Sequence, residues 1–321
     1  MWRFGPIGDL LRWILDAIYS LVGNYGWSVL IFTLLIRICL MPLDIKSRRS
    51  MKRMQAVQPR IDELNKKYAN DKDKLNRKMQ ELYQKEKISP LSGCLPMLIQ
   101  MPILFAMFAV MREIANEETV AMILSIKENL EAGIANFKPQ LQSILWIKTV
   151  FQPDSFMSTV VPAAGDALAG ITSASGQMTV EMIETAKEFL QTDMYRVWAD
   201  AYGNAVVYTA PLLMWTINIP QVFNGLFLLP ILSAVSQFFA SKFMNASQPQ
   251  TTQQQQQNST SAMMKWFFPL FSLWICASSN AAFALYWVFI NLIQIGQQYV
   301  IGKIIDRSDE KKMLTEEAET K

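Results

Sequence analysis

The sequence predicts an all-α polytopic membrane protein with five transmembrane helices, a cytoplasmic helical hairpin and an N-terminal interfacial amphipathic helix. Hydrophobic residues make up 51% of the 321 residues, charged residues only 18%, and the mean hydropathy is +0.15. Such a composition is too apolar for an ordinary soluble chain of this length. The apolar residues also form runs that approach or exceed the roughly 18 residues of a transmembrane-helix candidate. In lipid these runs must be helical, because each backbone polar group needs an internal partner.

Changes in composition divide the chain into predicted segments. In order these are an interfacial amphipathic helix (1–24), a first span (27–43), a basic cytoplasmic helical hairpin (45–90), a second span (94–111), an extracytoplasmic segment with an inserted cap (113–221), a third span (222–243), a Gln-rich cytoplasmic loop (244–264), a fourth span (265–279), a fifth span (281–301) and a cytoplasmic tail (302–321).

The N-terminal helix is predicted from a helical repeat of apolar residues. Leu11, Ile14 and Ile18 recur at spacings of three and four, whereas Asp9 and Arg12 lie on the opposite face. A helix with this pattern lies in the membrane interface.

The spans are bounded by aromatic, proline and polar residues. The first begins near Trp27, a residue type that anchors helices at the membrane surface. We expect Pro42 to end it, because the proline ring clashes with the preceding helical turn. The Gln-rich loop is too polar to pack in a core, and we expect the charged tail after Gly302 to be disordered beyond its first turn.

The hairpin segment 45–90 is strongly basic, with fourteen Lys and Arg residues against six acidic ones. We expect Pro59 to occupy the first position of a helix, where its missing N–H costs nothing. Two short amphipathic helices joined at Asn70–Asp71 are predicted. They either form a solvated hairpin that only fixes topology or offer a docking surface to an anionic partner, such as lipid headgroups, ribosomal RNA or a nascent chain.

The charge distribution also predicts the topology. The positive-inside rule places the basic hairpin in the cytoplasm, so five spans put the N-terminus outside and the C-terminus inside. Lys303 and Arg307, close to the last span, agree with this orientation. The apolar stretch 205–217 is short, and a sixth span would break the parity, so we expect it to be interfacial or re-entrant.

Several classes of chemistry are disfavoured. Histidine is absent, the three cysteines (Cys39, Cys94 and Cys276) form no CxxC pair, and no GxxxxGK[ST] motif is present. We therefore predict no catalytic residue, no metal site, no cofactor and no small-molecule substrate. A solute transporter would be expected to show internal repeats, and an intramembrane enzyme would need more acids near the spans than Asp44.

Arg37 lies inside the first span. An arginine at the centre of a membrane helix costs roughly 2.5–3.5 kcal/mol, which snorkelling towards the headgroups can reduce. The alternative is a hydrated cavity within the bundle. Amide residues in other spans favour the cavity, and Trp287, Asn291, Gln294 and Gln298 share one helical face. The candidate site residues are Arg37, Gln100, Gln237, Trp287, Asn291 and Gln294.

Four motifs, in this order along the chain, carry a resemblance to a known family. They are "LLIRICLMPLDIKSRRSMKRMQAVQPRIDELNKKY", "SGCLPMLIQMPILFAMF", "LPILSAVSQFFASK" and "ALYWVFINLIQIGQQYV". They resemble the YidC/Oxa/Alb family of membrane protein insertases, particularly its bacterial members. The resemblance implies a hydrophilic groove, open to the cytoplasm and to lipid, in which Arg37 receives the polar or acidic part of a substrate.

The resemblance also implies partners and a location. Nascent membrane proteins are the expected substrates, membrane lipid is a second partner, and the ribosome and the Sec translocon are further candidates. A bacterial cell membrane is the expected location. The sequence departs from short family members at about 155–220, where an insert with an amphipathic helix predicts an external cap. We expect a short form without the large periplasmic domain.

Overall fold

The computed structural model describes residues 5–86, 95–163, 168, 171, 176–212, 215–245 and 258–319, and most of them are helical. In chain order the helices are α1 (Gly5–Val22), α2 (Tyr25–Lys67), α3 (Lys72–Lys85), α4 (Leu95–Glu131), α5 (Val180–Leu190), α6 (Asp193–Ala199), α7 (Leu228–Asn245), α8 (Asn258–Ser278) and α9 (Ala281–Glu319). A π-helical turn (Asp200–Asn204) and the strands β1 (Val206–Leu212) and β2 (Trp215–Pro220) lie between α6 and α7.

Within the described ranges, three helical stretches are long and apolar enough to cross a membrane. They are α2 (Tyr25–Lys67), the part of α4 at Leu98–Glu131 and the part of α9 at Ala281–Ile305. Helix α8 contains a shorter apolar stretch, Trp266–Ser278. Spans three and four of the predicted five therefore stay predictions.

Helix α2 is longer than the sequence suggested. It continues through Pro42 and Pro59 to Lys67, so the expectations that Pro42 ends a helix and that Pro59 begins one were wrong. A proline inside a helix removes one backbone hydrogen bond. The residues between the two prolines are mostly good helix formers, without a turn residue at which the helix would stop.

Helix α3 packs against the end of α2. Met54, Val57 and Ile61 of α2 are buried, with Ile61 fully so, and Met79 and Leu82 of α3 pack against them. Asp71 accepts a hydrogen bond from the Lys74 backbone N–H and so caps α3. Apolar contacts and the ion pair between Arg60 and Glu86 thus hold two basic helices together, and a short turn at residues 68–71 connects them.

Helix α1 packs one apolar stripe against the protein. Leu11 and Leu15 are buried, whereas Leu10 and Trp13 are exposed. Arg12, predicted on the polar face, forms ion pairs with Glu113 and Glu117 of α4 at 3.2 and 2.6 Å.

The insert folds as a small core against the extension of α4, which continues to Glu131. Val120, Ile123 and Ile126 of α4 are fully buried against α5 and α6. The Tyr195 hydroxyl donates to the Pro162 carbonyl oxygen at 2.6 Å, and burial raises the pKa of this phenol. The amphipathic helix predicted in the insert is two helices, because the side chain of Thr192 caps α6 after α5 has ended.

Strands β1 and β2 form an antiparallel hairpin that the all-α prediction did not include. It covers most of the stretch 205–217, for which an interfacial or re-entrant position was expected. Valine, isoleucine, threonine, tyrosine and tryptophan, which favour strands, are frequent here, and Pro211 disfavours a helix interior.

The C-terminal tail is helical rather than disordered, since α9 continues past Gly302 to Glu319. Lysine, glutamate, methionine and leucine in this region have high helix propensity, and no proline interrupts them. Most of the predicted Gln-rich loop, residues 246–257, lies outside the described residues, as does 87–94 between α3 and α4.

The chain divides into two compact units. The first contains Met1–Thr33, Leu104–Ser233 and Phe271–Phe289, and the second contains Leu34–Ile103, Ala234–Leu270 and Ile290–Lys321. The insert, its core and the β1–β2 hairpin belong to the first unit. The α2–α3 contact and most candidate site residues belong to the second.

Candidate functional site

Arg37 is buried inside the second unit, with 5% of its surface exposed. Its Nη2 atom donates to Gln294 Oε1 at 3.2 Å and to the Ile290 carbonyl oxygen at 3.4 Å, both on α9. The neighbouring Leu34 and Ile38 of α2 are 47% and 57% exposed. The apolar neighbours therefore occupy the outer surface, and the guanidinium points towards a polar face of another helix.

A second contact joins the same two helices. The Gln297 side-chain nitrogen donates to the Arg37 carbonyl oxygen at 3.1 Å. The backbone and the side chain of Arg37 are thus both held by α9, at residues three positions apart on that helix. Since Gln294 and Gln297 lie almost one turn apart, they present amides to α2 from the same side.

Asn291 links α9 to α7. Its Nδ2 atom donates to Gln237 Oε1 at 3.2 Å and to Ser236 Oγ at 3.3 Å. Asn291 and Ser236 are each 5% exposed. Burying a polar group costs free energy unless protein hydrogen bonds replace those it made to water. Here the amide and hydroxyl groups of Asn291, Gln237 and Ser236 supply these hydrogen bonds.

The structure thus brings four of the predicted residues into two contact pairs, Arg37 with Gln294 and Asn291 with Gln237. Gln100 is half-buried on the part of α4 that belongs to the same unit. Trp287 is different, because it lies in the first unit, where its ring packs edge-on against Phe283 at 5.6 Å. Its indole nitrogen is buried and has no hydrogen-bond partner within the described part of the chain.

Two residues of the polar cluster were missed by sequence reasoning. Ser236 precedes Gln237, and Gln297, which contacts the Arg37 backbone, follows Gln294 by three positions. The shared helical face predicted from the sequence included Gln298 and not Gln297. Serine is too common in membrane helices to stand out. The choice between Gln297 and Gln298 depends on how α9 is rotated, which helical spacing alone does not fix.

Chemically, this polar cluster (Arg37, Ser236, Gln237, Asn291, Gln294 and Gln297) offers one fixed positive charge and several neutral donors and acceptors. No group of three His, Cys, Asp or Glu side chains that could hold a metal ion occurs in the described ranges. The arrangement can bind polar or anionic groups by hydrogen bonding and electrostatic attraction.

Comparison with known proteins shows the relationship. A family model described as "60Kd inner membrane protein" matches residues 17–309. A membrane protein insertase YidC from Fusobacterium nucleatum is 47% identical over 109 residues, covering 34% of this chain and 53% of that protein. One from Thioalkalivibrio sulfidiphilus is 43% identical over 118 residues, covering 37% and 21%. One from Azotobacter vinelandii is 45% identical over 107 residues, covering 33% and 19%.

The chain therefore spans about half of the first relative and about a fifth of the other two. The apolar helices and the relatives together identify a membrane-embedded protein. The resemblance carried by the four motifs is confirmed, because the family model extends over most of the chain. The chain belongs to the 60Kd inner membrane protein family, the YidC/Oxa/Alb group of membrane proteins.

Proposed function

We propose that this protein is a membrane protein insertase that inserts and helps fold other membrane proteins. In this proposal a hydrophilic groove, open to the cytoplasm and to lipid, accepts the polar segment of a substrate. The observation that carries the proposal is the buried guanidinium of Arg37, which faces Gln294 and the Ile290 carbonyl group rather than the exposed side of α2. The family membership and the names of the relatives support it.

The groove would lower the barrier for a polar segment that crosses the bilayer. A polar group stripped of water costs several kcal/mol if nothing replaces the lost hydrogen bonds. Arg37 and the amides of Gln237, Asn291 and Gln294 can replace them. A positive charge with low-dielectric walls attracts acidic segments more strongly than one in water. Insertion of substrates with acidic tails should therefore depend most strongly on Arg37.

Release into lipid would be driven by the substrate itself. Burial of apolar surface contributes roughly 25 cal/mol per Å², so the hydrophobic helix of a substrate favours the bilayer over a polar groove. The process requires no bond-breaking step, and we assign no catalytic residue and no cofactor. Gln100, which belongs to the same unit, is a further proposed groove residue.

The proposed topology has five spans in a bacterial cell membrane, with the N-terminus outside and the C-terminus in the cytoplasm. The α2–α3 pair would then project into the cytoplasm. The exposed basic residues of α3, among them Lys72 and Arg77, suit an anionic partner. Nascent membrane proteins and lipid are the proposed partners, and the ribosome and the Sec translocon are further candidates.

A complementation experiment tests the function. A bacterium depleted of its own insertase would receive the wild-type protein, Arg37→Ala, Arg37→Lys or Arg53→Ala, and insertion of a small single-span substrate would be scored. Arg53 lies on the same helix and is exposed, so its substitution is the matched control. We expect activity from the wild type and Arg53→Ala, partial activity from Arg37→Lys and the lowest activity from Arg37→Ala.

Failure of the wild type to insert any substrate would contradict the insertase assignment. Full activity of Arg37→Ala with several acidic-tailed substrates would contradict only the role of the charge.

A further inference from the structure

The β1–β2 hairpin is a self-contained projection of the first unit. Its strands pair from Tyr208↔Ile219 to Leu212↔Trp215, and no third strand joins them in the described part of the chain. Backbone hydrogen bonds from Gln221 to Ala205 (2.8 Å) and from Val222 to Gly203 (2.9 Å) close its base. These bonds fix the hairpin on the insert and leave its strands outside the insert core.

Apolar side chains of β1 are exposed. Val206, Val207 and Tyr208 are 54%, 64% and 60% exposed. The pairing is irregular between Val206 and Tyr208, but it is regular at Tyr208 and Thr209, which are both exposed. Because successive side chains of a regular strand point to opposite faces, neither face of β1 is covered by the protein at Tyr208 and Thr209. A protein partner would cover one face of such a hairpin, whereas lipid surrounds both.

The hairpin also lies in a stretch without charge. No charged residue occurs between Asp200 and Lys242. In contrast, helices α5 and α6 carry ion pairs, such as Arg196 with Asp193. The uncharged stretch continues directly into α7, whose Leu228 and Ile231 are 38% and 46% exposed. Exposed apolar side chains therefore occur both in the hairpin and at the start of α7, on either side of the buried Asn224.

The polar groups of the hairpin indicate how deep it can lie. The Thr209 hydroxyl donates to Asn218 Oδ1 at 3.2 Å, so these two side chains satisfy each other across the strands. The outer edge of each strand still carries backbone groups without a strand partner. Such edges do not occur in the hydrocarbon core, where water is absent. The headgroup level supplies both water and apolar contact.

We propose that the β1–β2 hairpin lies in the headgroup region of the bilayer and anchors the insert to the membrane surface. Tyr208 and Trp215 belong to the residue types that are enriched at this level. The ligand class is phospholipid, with the glycerol and upper acyl region in contact with Val206 and Val207. The proposal does not depend on insertase activity.

The experiment measures lipid contact at single positions. In full-length protein with Cys39→Ser, Cys94→Ser and Cys276→Ala, an NBD fluorophore would be attached to Val206→Cys, Val207→Cys or Val197→Cys. Val197 is the matched control, because it is a valine of α6 with 67% exposure. The proteins would be reconstituted in phosphatidylcholine/phosphatidylglycerol vesicles that contain nitroxide lipids labelled at the headgroup, at carbon 5 or at carbon 12.

We expect NBD at 206 and at 207 to emit at shorter wavelength than at 197 and to be protected from aqueous iodide. Headgroup and carbon-5 nitroxides should quench both hairpin positions severalfold more than the control, and carbon 12 should quench them less. Testing two neighbouring positions keeps the result independent of any single substitution.

Four results would overturn the proposal. Iodide access to both hairpin labels without lipid quenching would place them in water. Protection from iodide without lipid quenching, or lipid quenching of one hairpin label only, would indicate that a protein surface covers the hairpin. Equal lipid quenching at 197 would remove any distinction between the hairpin and the rest of the insert.

Discussion

The side-chain carboxylate of Asp154 accepts a hydrogen bond of 2.6 Å from the backbone N–H of Leu229, 75 residues later in the chain. The same carboxylate accepts from the backbone N–H groups of Leu226 and Phe227 at 2.8 and 3.2 Å, and it is fully buried. It therefore caps the N-terminus of α7, although Asp154 precedes the insert in the sequence and α7 follows it. A Cβ atom at Gly225 would lie 1.9 Å from this carboxylate, so only glycine allows the approach.

Replacing Asp154 should destabilise the first unit. Asp154→Ala removes the acceptor of three N–H groups at the start of α7, of which that of Leu229 is buried, and we expect a loss of about 2–4 kcal/mol. Asp154→Asn keeps one oxygen acceptor and should cost less. The apparent unfolding temperature of the detergent-solubilised protein measures the effect.

The matched control for this prediction is Asp193→Ala. Asp193 also lies in the first turn of a helix of the same unit, but its side chain is 84% exposed and pairs only with exposed Arg196. It should change stability by no more than about 0.5 kcal/mol. Equal effects of the two substitutions would show that the cap of α7 does not stabilise the fold.

The contact between Arg12 and Glu117 predicts a second effect on stability. The Arg12 guanidinium donates to both carboxylate oxygens at 2.8 and 2.6 Å, and the hydrogen bond and charge of Glu117 raise the pKa of Arg12 above its ordinary value. Arg12→Met removes the cation and leaves Glu117, whose side chain is 13% exposed, uncompensated. We expect a loss of about 1–3 kcal/mol, measured as a lower apparent unfolding temperature.

A double substitution separates this charge effect from packing. Arg12→Met with Glu117→Gln should recover part of the stability, because Glu117, which accepts both short hydrogen bonds from Arg12, then carries no charge. Lys127→Met, which breaks an exposed pair with Glu131 on α4, is the control and should have little effect. A double variant less stable than Arg12→Met would contradict the charge explanation.

Much of the helical fold was predictable because long apolar runs and helical repeats report directly on membrane and interface helices. The bounds of α1 follow its apolar repeat closely. The continuation of α2 through Pro42 was not predictable, since one proline can either end or kink a helix. The β1–β2 hairpin was missed because a short apolar stretch has no period that separates a strand from a buried segment.

The site was predictable in its residue types and only partly in its contacts. Arg37 stands out in an apolar run, so sequence alone selected it. The amides of Asn291 and Gln294 followed from the shared face of one helix. The sequence could not decide that Asn291 contacts α7 while Gln294 contacts α2, because helix rotation and packing set those pairs. Asp154 attracted no notice, since its partners are backbone groups distant in sequence.

Gly203 provides a test of the base of the β1–β2 hairpin. Its φ angle is 132°, and an added Cβ atom would lie 2.3 Å from Val222 Cγ2. Gly203→Ala should therefore cost about 1–3 kcal/mol more than Gly133→Ala, which has a positive φ of 83° but nothing within 4 Å of the added atom. The apparent unfolding temperatures of the two variants give the comparison.

Removing the obstructing side chain should relieve the clash. Val222 Cγ2 and Cβ lie 2.3 and 2.5 Å from the added atom, so Val222→Ala removes only the first of them. Val222→Gly combined with Gly203→Ala should therefore recover more of the lost stability than Val222→Ala combined with Gly203→Ala, although the backbone strain remains. If the two alanine variants at 203 and 133 unfold at the same temperature, the close approach of Val222 does not limit position 203.

The pair of Arg37 and Gln294 gives a test of how charge acts in the proposed function. Gln294→Glu places a carboxylate where the amide oxygen now accepts from Arg37 Nη2 at 3.2 Å. The added charge should weaken the attraction of Arg37 for acidic substrate tails by about 1–2 kcal/mol, and about 1.4 kcal/mol corresponds to a factor of ten. Insertion of matched single-span substrates with acidic or neutral tails measures the difference. Gln294→Leu is the uncharged control, and it should keep the wild-type preference for acidic tails because the guanidinium keeps its charge. If Gln294→Glu also keeps that preference in full, the tail does not meet the charge of Arg37 during insertion.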